Sequence, residues 1–158
     1  MPQRMDGRQR LMYVYNRTRE TFVATEAILA DGYWQRLVGL LGKTRKWARL
    51  GAGLWIVPSH GVHTMGMLFP IDLIFLGKNK EVVRIEEHVR PFRISRVCLT
   101  ASSILELPVH TVYRTGTRVG DRLEISAVDK APEEVPKGLE DGNLTAGATR
   151  VPAARVRP

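Results

Sequence analysis

Cysteine is nearly missing from this chain. Cys98 stands alone among 158 residues, so an intramolecular disulfide is excluded and the fold must rest on a packed core, for which this length suffices. Cys98 follows Arg93 and Arg96, but no motif sets a base beside it, and it reads as a core or interface thiol,. Long apolar runs are missing as well. The longest, Met67 to Leu76, carries Asp72 and falls short of the ~20 residues a membrane-spanning helix needs,. The first twenty residues hold five arginines but no apolar stretch of roughly 7 to 15 residues such as a secretory leader has. A cytoplasmic protein without a membrane span is therefore expected. No paired cysteines, phosphate-cradling glycine loop or nucleophile elbow appears. The enzyme classes with readable motifs are thus set aside, and no cofactor or metal is expected.

Acidic residues are scarce where basic ones gather. The net charge is +8, residues 126–158 balance five bases against five acids, and the whole excess therefore falls on residues 1–125. Between Gly32 and Ile71 stand Arg36, Lys43, Arg45, Lys46 and Arg49 with no acid, interleaved with Trp34, Trp47 and Trp55. Bases that neutralise phosphates beside tryptophans that stack on nucleobases are the combination of single-strand binders. A solvated basic loop over core tryptophans accounts for the same residues and is preferred.

Residues 1–10 read as a flexible arm, and residues 127–158, with four prolines, three glycines, six alanines and no aromatic residue, as a disordered tail,. Residues 11–126 remain as a single domain. Runs of β-forming residues bounded by turn formers predict strands at Leu11–Tyr15, Thr21–Ala27, Leu54–Val57, Ile71–Leu76, Glu81–His88, Ser102–Leu107 and Asp121–Ser126,. The first two make a hairpin, and Gly77-Lys78-Asn79-Lys80 closes another. Asp31 can cap a helix near residues 32–41, with Trp34, Leu37, Val38 and Leu41 on one stripe and Gly42 at its end,. A further turn or two of helix is expected within Pro108–Gly116, with Val109, Val112 and Tyr113 inward. The predicted fold is mostly β (α+β): a small barrel-like or strongly curled antiparallel sheet of about seven strands with one well-defined helix.

The segment Leu54 to Leu76 carries most of the chemistry, because His60, His63 and Asp72 interrupt apolar sequence. A buried polar group without a partner costs roughly 1 to 3 kcal/mol. Alternation puts Asp72 with Ile74 and Leu76, both faces of that strand are apolar, and Asp72 therefore needs a donor or a cation. It either ties down a loop or serves a site. Glu106 repeats the pattern beside Ile104. His60 and His63 are three apart in extended chain and point to opposite sides, and His88 and His110 lie in separate elements, so a zinc site is not read. Gly120-Asp121 reads as a barrel corner, with Gly120 at positive φ and Asp121 accepting turn N–H groups. The candidate ligand set is Trp55, His63, Asp72, Glu106 and Asp121, with His63, Asp72 and Glu106 as the residues to consider for catalysis.

The run His63-Thr64-Met65-Gly66-Met67-Leu68-Phe69-Pro70-Ile71-Asp72, followed by Glu106-Leu107-Pro108 and Gly120-Asp121-Arg122-Leu123, resembles a bacterial and archaeal family, domain of unknown function 192. Arg36 to Lys43 is similar to that family's early R-x-x-G-L motif. The resemblance spans about Thr21 to Ser126 and implies a compact, barrel-like β fold, with no established activity. Val109-His110 stand where the family often has Ala-Gly, so ordinary backbone angles are expected after Pro108. Met65-Gly66 and Leu68 replace the aromatic pairs and arginine of a related subgroup. Many members carry export signals, and none is read here.

These observations point to a monomeric, non-catalytic binding or accessory module whose pocket accepts a small polar ligand or a partner segment. A nucleic-acid or anionic-surface binder working through Arg36 to Arg49 ranks second, beside an acid–base enzyme using His63 and Asp72.

Overall fold

The structure, a computed structural model, describes residues 10–32 and 49–130. The helix expected near residues 32–41, and with it Arg36, Lys43, Arg45 and Lys46, lies outside the described residues.

Among the described residues seven strands follow in chain order: β1 (Leu11–Asn16), β2 (Thr21–Ala30), β3 (Ala52–Ile56), β4 (Ile71–Leu76), β5 (Val82–Val89), β6 (Ser103–Pro108) and β7 (Leu123–Ala127). They form one sheet of order β5-β4-β6-β3-β2-β1-β7. Every pairing is antiparallel except β2 with β3, which run parallel. Parallel neighbours need a crossover of a dozen or more residues, and residues 31–51 supply its length. The sheet curls until its two edge strands meet at one end. Glu81 bridges Arg122, the Val82 N–H donates to Asp121 O at 2.9 Å, and the Gly120 N–H donates to Val82 O at 2.8 Å. Gly120 holds φ +92, which favours glycine,.

The curl has two packed faces. Inside it, Val14, Ala24, Ala27, Ile74, Leu76, Val82, Leu105, Leu107 and Leu123 come together from strands at both ends of the order. On the outer face, Leu54, Ile56, Ile71, Leu73, Phe75 and Ile104 are covered by Met67, Phe69 and Ala101 from two loops. β4 and β6 are therefore buried along their whole length, as expected for strands apolar on both faces,.

A short helix, α1 (Thr111–Thr115), buries Val112 inside the curl. Two expectations fail here. Tyr113 points outward, 81% exposed, because a helix of five residues presents one narrow stripe and Thr111 and Val112 fill it. His110 caps the helix at φ +66, so the turn after Pro108 does take a left-handed residue without glycine, at some cost in strain.

Candidate functional site

Asp72 is fully buried inside the curl. One carboxylate oxygen accepts the His88 N–H at 3.1 Å and the other accepts the Val112 N–H at 3.2 Å. The partners are backbone groups where regular pairing breaks: His88 sits in a bulge of β5 opposite Asp72, with φ +54, and Val112 is in the first turn of α1, where N–H groups lack helical acceptors,. Asp72 thus joins a strand edge to a helix start, and brings the His88 and His110 rings to 4.5 Å, edge to face.

Glu106 lies on the opposite face of the sheet. It pairs directly with Leu54 on β3 and Leu73 on β4, and directly opposed residues share a face, whereas Asp72 pairs with Leu107. The common pocket for His63, Asp72 and Glu106 is therefore not assembled, and register is the reason. Glu106 is 2% exposed among apolar neighbours, and its Oε2 has no hydrogen-bond partner. Burial pushes its carboxyl up to about 8, so the acid is neutral at pH 7.

The other candidates are dispersed. Trp55 faces the inside of the curl, with its Nε1 buried and unpartnered and the Lys80 ammonium 4.8 Å from its ring centroid. Asp121 takes hydrogen bonds from Asn16 Nδ2 at 2.9 Å, from the Arg118 N–H at 2.9 Å and from Arg19 Nε at 3.0 and 3.1 Å. Burial raises its carboxyl, but these donors outweigh burial and hold it below its ordinary value,. It is a corner clamp between the β1–β2 turn and the turn before β7. Arg49, of the basic segment, pairs with Glu26.

His63 is exposed on a loop that runs from His60 to Phe69 and is laced to a second loop, Arg90 to Ala101. The Thr64 N–H donates to Arg93 O at 2.7 Å, the Phe92 N–H to Thr64 O at 2.8 Å, the Ser95 N–H to Val62 O at 2.9 Å and the Cys98 N–H to His60 O at 2.8 Å. The buried Thr64 hydroxyl donates to Arg90 O at 2.7 Å and accepts the Arg93 N–H at 2.9 Å. Folded back this way, the second loop faces the outer side of β5. Between them runs an open groove of about 500 Å³ lined by Arg84, Glu86, His88, Arg90, Arg93 and Arg96. Among the described residues that line it, Glu86 is the single acid, and it pairs with Arg84. No ion pair among the described residues engages Arg90, Arg93 or Arg96. The sequence signal for this groove is the acid-free run His88 to Leu105 with arginines three apart, which the longer acid-free run Gly32 to Ile71 overshadows.

The family model for domain of unknown function 192, described as uncharacterized ACR, matches residues 14–125. The chain belongs to that family. A UPF0127 protein of Pyrococcus furiosus is 30% identical over 114 residues, covering 69% of this chain and 94% of that protein. Another from Thermococcus sibiricus is 28% identical over 142 residues, covering 82% and 90%. Among solved structures, a proposed transcription regulator from Sinorhizobium meliloti superposes with a TM-score of 0.61 at 22% identity, covering 74% of this chain and 93% of that one. A protein of unknown function from Novosphingobium aromaticivorans does so at 0.57 and 20%, covering 72% and 83%. At these identities the two structures carry the fold alone.

In this member of the domain of unknown function 192 family, the resembling motifs among the described residues map onto scaffold. His63 to Pro70 forms the laced loop, Asp72 the strand-to-helix tie, Glu106 the buried acid, and Gly120-Asp121 the corner.

Proposed function

We propose that this protein is a non-catalytic binding module and that its site is the arginine groove between β5 and the Arg90–Arg96 loop, taking an anionic polar ligand or an acidic partner segment. One observation supports this best: four guanidinium groups line one open concavity whose single acid is already paired. Like charges gathered in one place repel, and an entering anion relieves that repulsion. The planar fork of arginine suits carboxylate and phosphate, which it holds through two parallel hydrogen bonds. An acid–base enzyme on His63 and Asp72 has less support, since both Asp72 oxygens already serve backbone N–H groups.

The test is isothermal titration of the full chain with inorganic pyrophosphate and with citrate at low ionic strength. Saturable binding that weakens with salt is expected, and Arg90→Glu with Arg93→Glu should remove it. Absence of heat with both probes, or binding undiminished in the double variant, overturns the reading.

A further inference from the structure

The two laced loops are apolar where loops usually are not. They carry Met65, Leu68, Phe92, Ile94, Val97 and Leu99, six of the eleven large apolar residues exposed among the described ones, and the last five are 62–84% exposed. This is no shortage of room inside, because Met67 and Phe69 from the same loop are buried against the outer face of the sheet. The laced loops bind inward what they need and aim the rest at solvent. Their charge has one sign: between Leu54 and Ile71, and again between His88 and Leu105, there is no aspartate or glutamate, while Arg90, Arg93 and Arg96 punctuate the second loop.

From this alternation we infer that the loop tips and the groove beside them dock on an anionic lipid surface, the apolar tips entering the boundary between headgroups and acyl chains and the arginines meeting lipid phosphates. The inference rests on the anion-binding reading of the groove and names its partner. Exposed apolar patches of this kind mark protein or membrane contacts, and the spacing favours the membrane. Protein interfaces deplete charge at their apolar centre and accept arginine there mainly where a partner acid or aromatic ring meets it. Here Phe92, Ile94 and Val97 each adjoin an arginine, so a protein covering the tips would have to bury the guanidinium groups with them. A bilayer interface takes both, since arginine side chains extend to phosphate level while apolar neighbours sit deeper, and each base near an anionic leaflet adds attraction.

The experiment is co-sedimentation of the full chain with vesicles of mixed phosphatidylglycerol and phosphatidylcholine, beside vesicles of phosphatidylcholine alone and the pyrophosphate titration. The protein should partition onto the anionic vesicles at least tenfold more strongly than onto the neutral ones. The triple variant Leu68→Ser, Phe92→Ser, Leu99→Ser, none of them lining the groove, should lose at least tenfold in vesicle partition with its pyrophosphate affinity unchanged. Its residues are exposed, so an unaltered thermal midpoint is expected and checks its fold. Arg90→Glu with Arg93→Glu should lose both activities. A wild-type chain that binds pyrophosphate but not anionic vesicles overturns the lipid inference, leaves the groove reading standing and points to an acidic protein partner. A triple variant that partitions like the wild type also overturns it, and binding to neither probe overturns both readings.

Discussion

Glu106 should make this protein lose stability as pH rises through the neutral range, opposite to the usual behaviour of a carboxylate. Its carboxyl sits between Leu54 and Leu73 with Oε2 unpartnered, and burial raises it from the ordinary 4.5 to about 8. In the unfolded chain the group ionises near 4.5, so between there and about 8 the folded state binds the extra proton. Stability falls with pH wherever the folded state binds more protons. The contribution is complete below pH 4.5, declines through that window and is gone above about 8. At 1.36 kcal/mol per pH unit the whole span corresponds to roughly 5 kcal/mol, an order of magnitude comparable to a large fraction of a domain's total stability. The assay is urea unfolding at pH 5, 6.5 and 8, comparing the wild type with Glu106→Gln, which is uncharged throughout and of the same size. The difference between the two profiles isolates Glu106 from every other titrating group. The wild type should lose several kcal/mol relative to the variant between pH 5 and 8. Parallel profiles would refute the reasoning and mean that the acid finds a donor or water on folding.

Four further outcomes follow from the same geometry. Asp72→Ala strands the His88 and Val112 N–H groups and should cost roughly 2–6 kcal/mol in urea unfolding, with faster amide exchange at Val112. Thr64→Val keeps the shape but removes the hydroxyl that ties Arg90 and Arg93, and should cost about 1–3 kcal/mol and raise exchange at the Arg93 amide. Asp121, held below its ordinary 3.8 by its donors, should contribute stability above that pH and lose it as pH falls further, an acid limb that Asp121→Asn abolishes in thermal melts. Tyr113→Ala should leave unfolding within about 0.5 kcal/mol of the wild type, since its ring is exposed.

What could be read from the residues was whatever alternation within one strand decides. Ile71–Leu76 has the predicted bounds, and its two apolar faces correctly implied cover on both sides. The seven strands and the curled sheet follow from the same signal. Relations between strands were out of reach. That Asp72 and Glu106 face opposite ways depends on Leu73 pairing with Glu106, a register set by the whole sheet rather than by either strand. The parallel β2–β3 pair depends on a crossover of 21 residues whose path no local pattern states. His88 and His110 both hold positive φ, which a propensity for glycine could not anticipate, because Asp72 stabilises the bulge and the helix start from a distant strand. The groove is not legible in the sequence because its arginines belong to one strand and one loop that meet only after the loop is laced to Thr64.

Asp72 and Asp121, two of the polar residues that look most functional in the sequence, are consumed by the architecture, and so is Thr64. Asp72, Asp121 and Thr64 are buried, and each spends its hydrogen-bonding capacity on groups of this chain; a group already satisfied gains little from a ligand and costs the fold when it leaves its partner. Under the proposed binding function, recognition falls to side chains the fold leaves over. Arg90, Arg93 and Arg96 are such residues, carried on a loop whose backbone is pinned by at least four hydrogen bonds to its neighbour, so their positions are set before any partner arrives. A pinned loop with unspent charge loses little conformational entropy on binding, and that combination, rather than the buried carboxylates, is what favours the groove and its apolar rim as the proposed binding face.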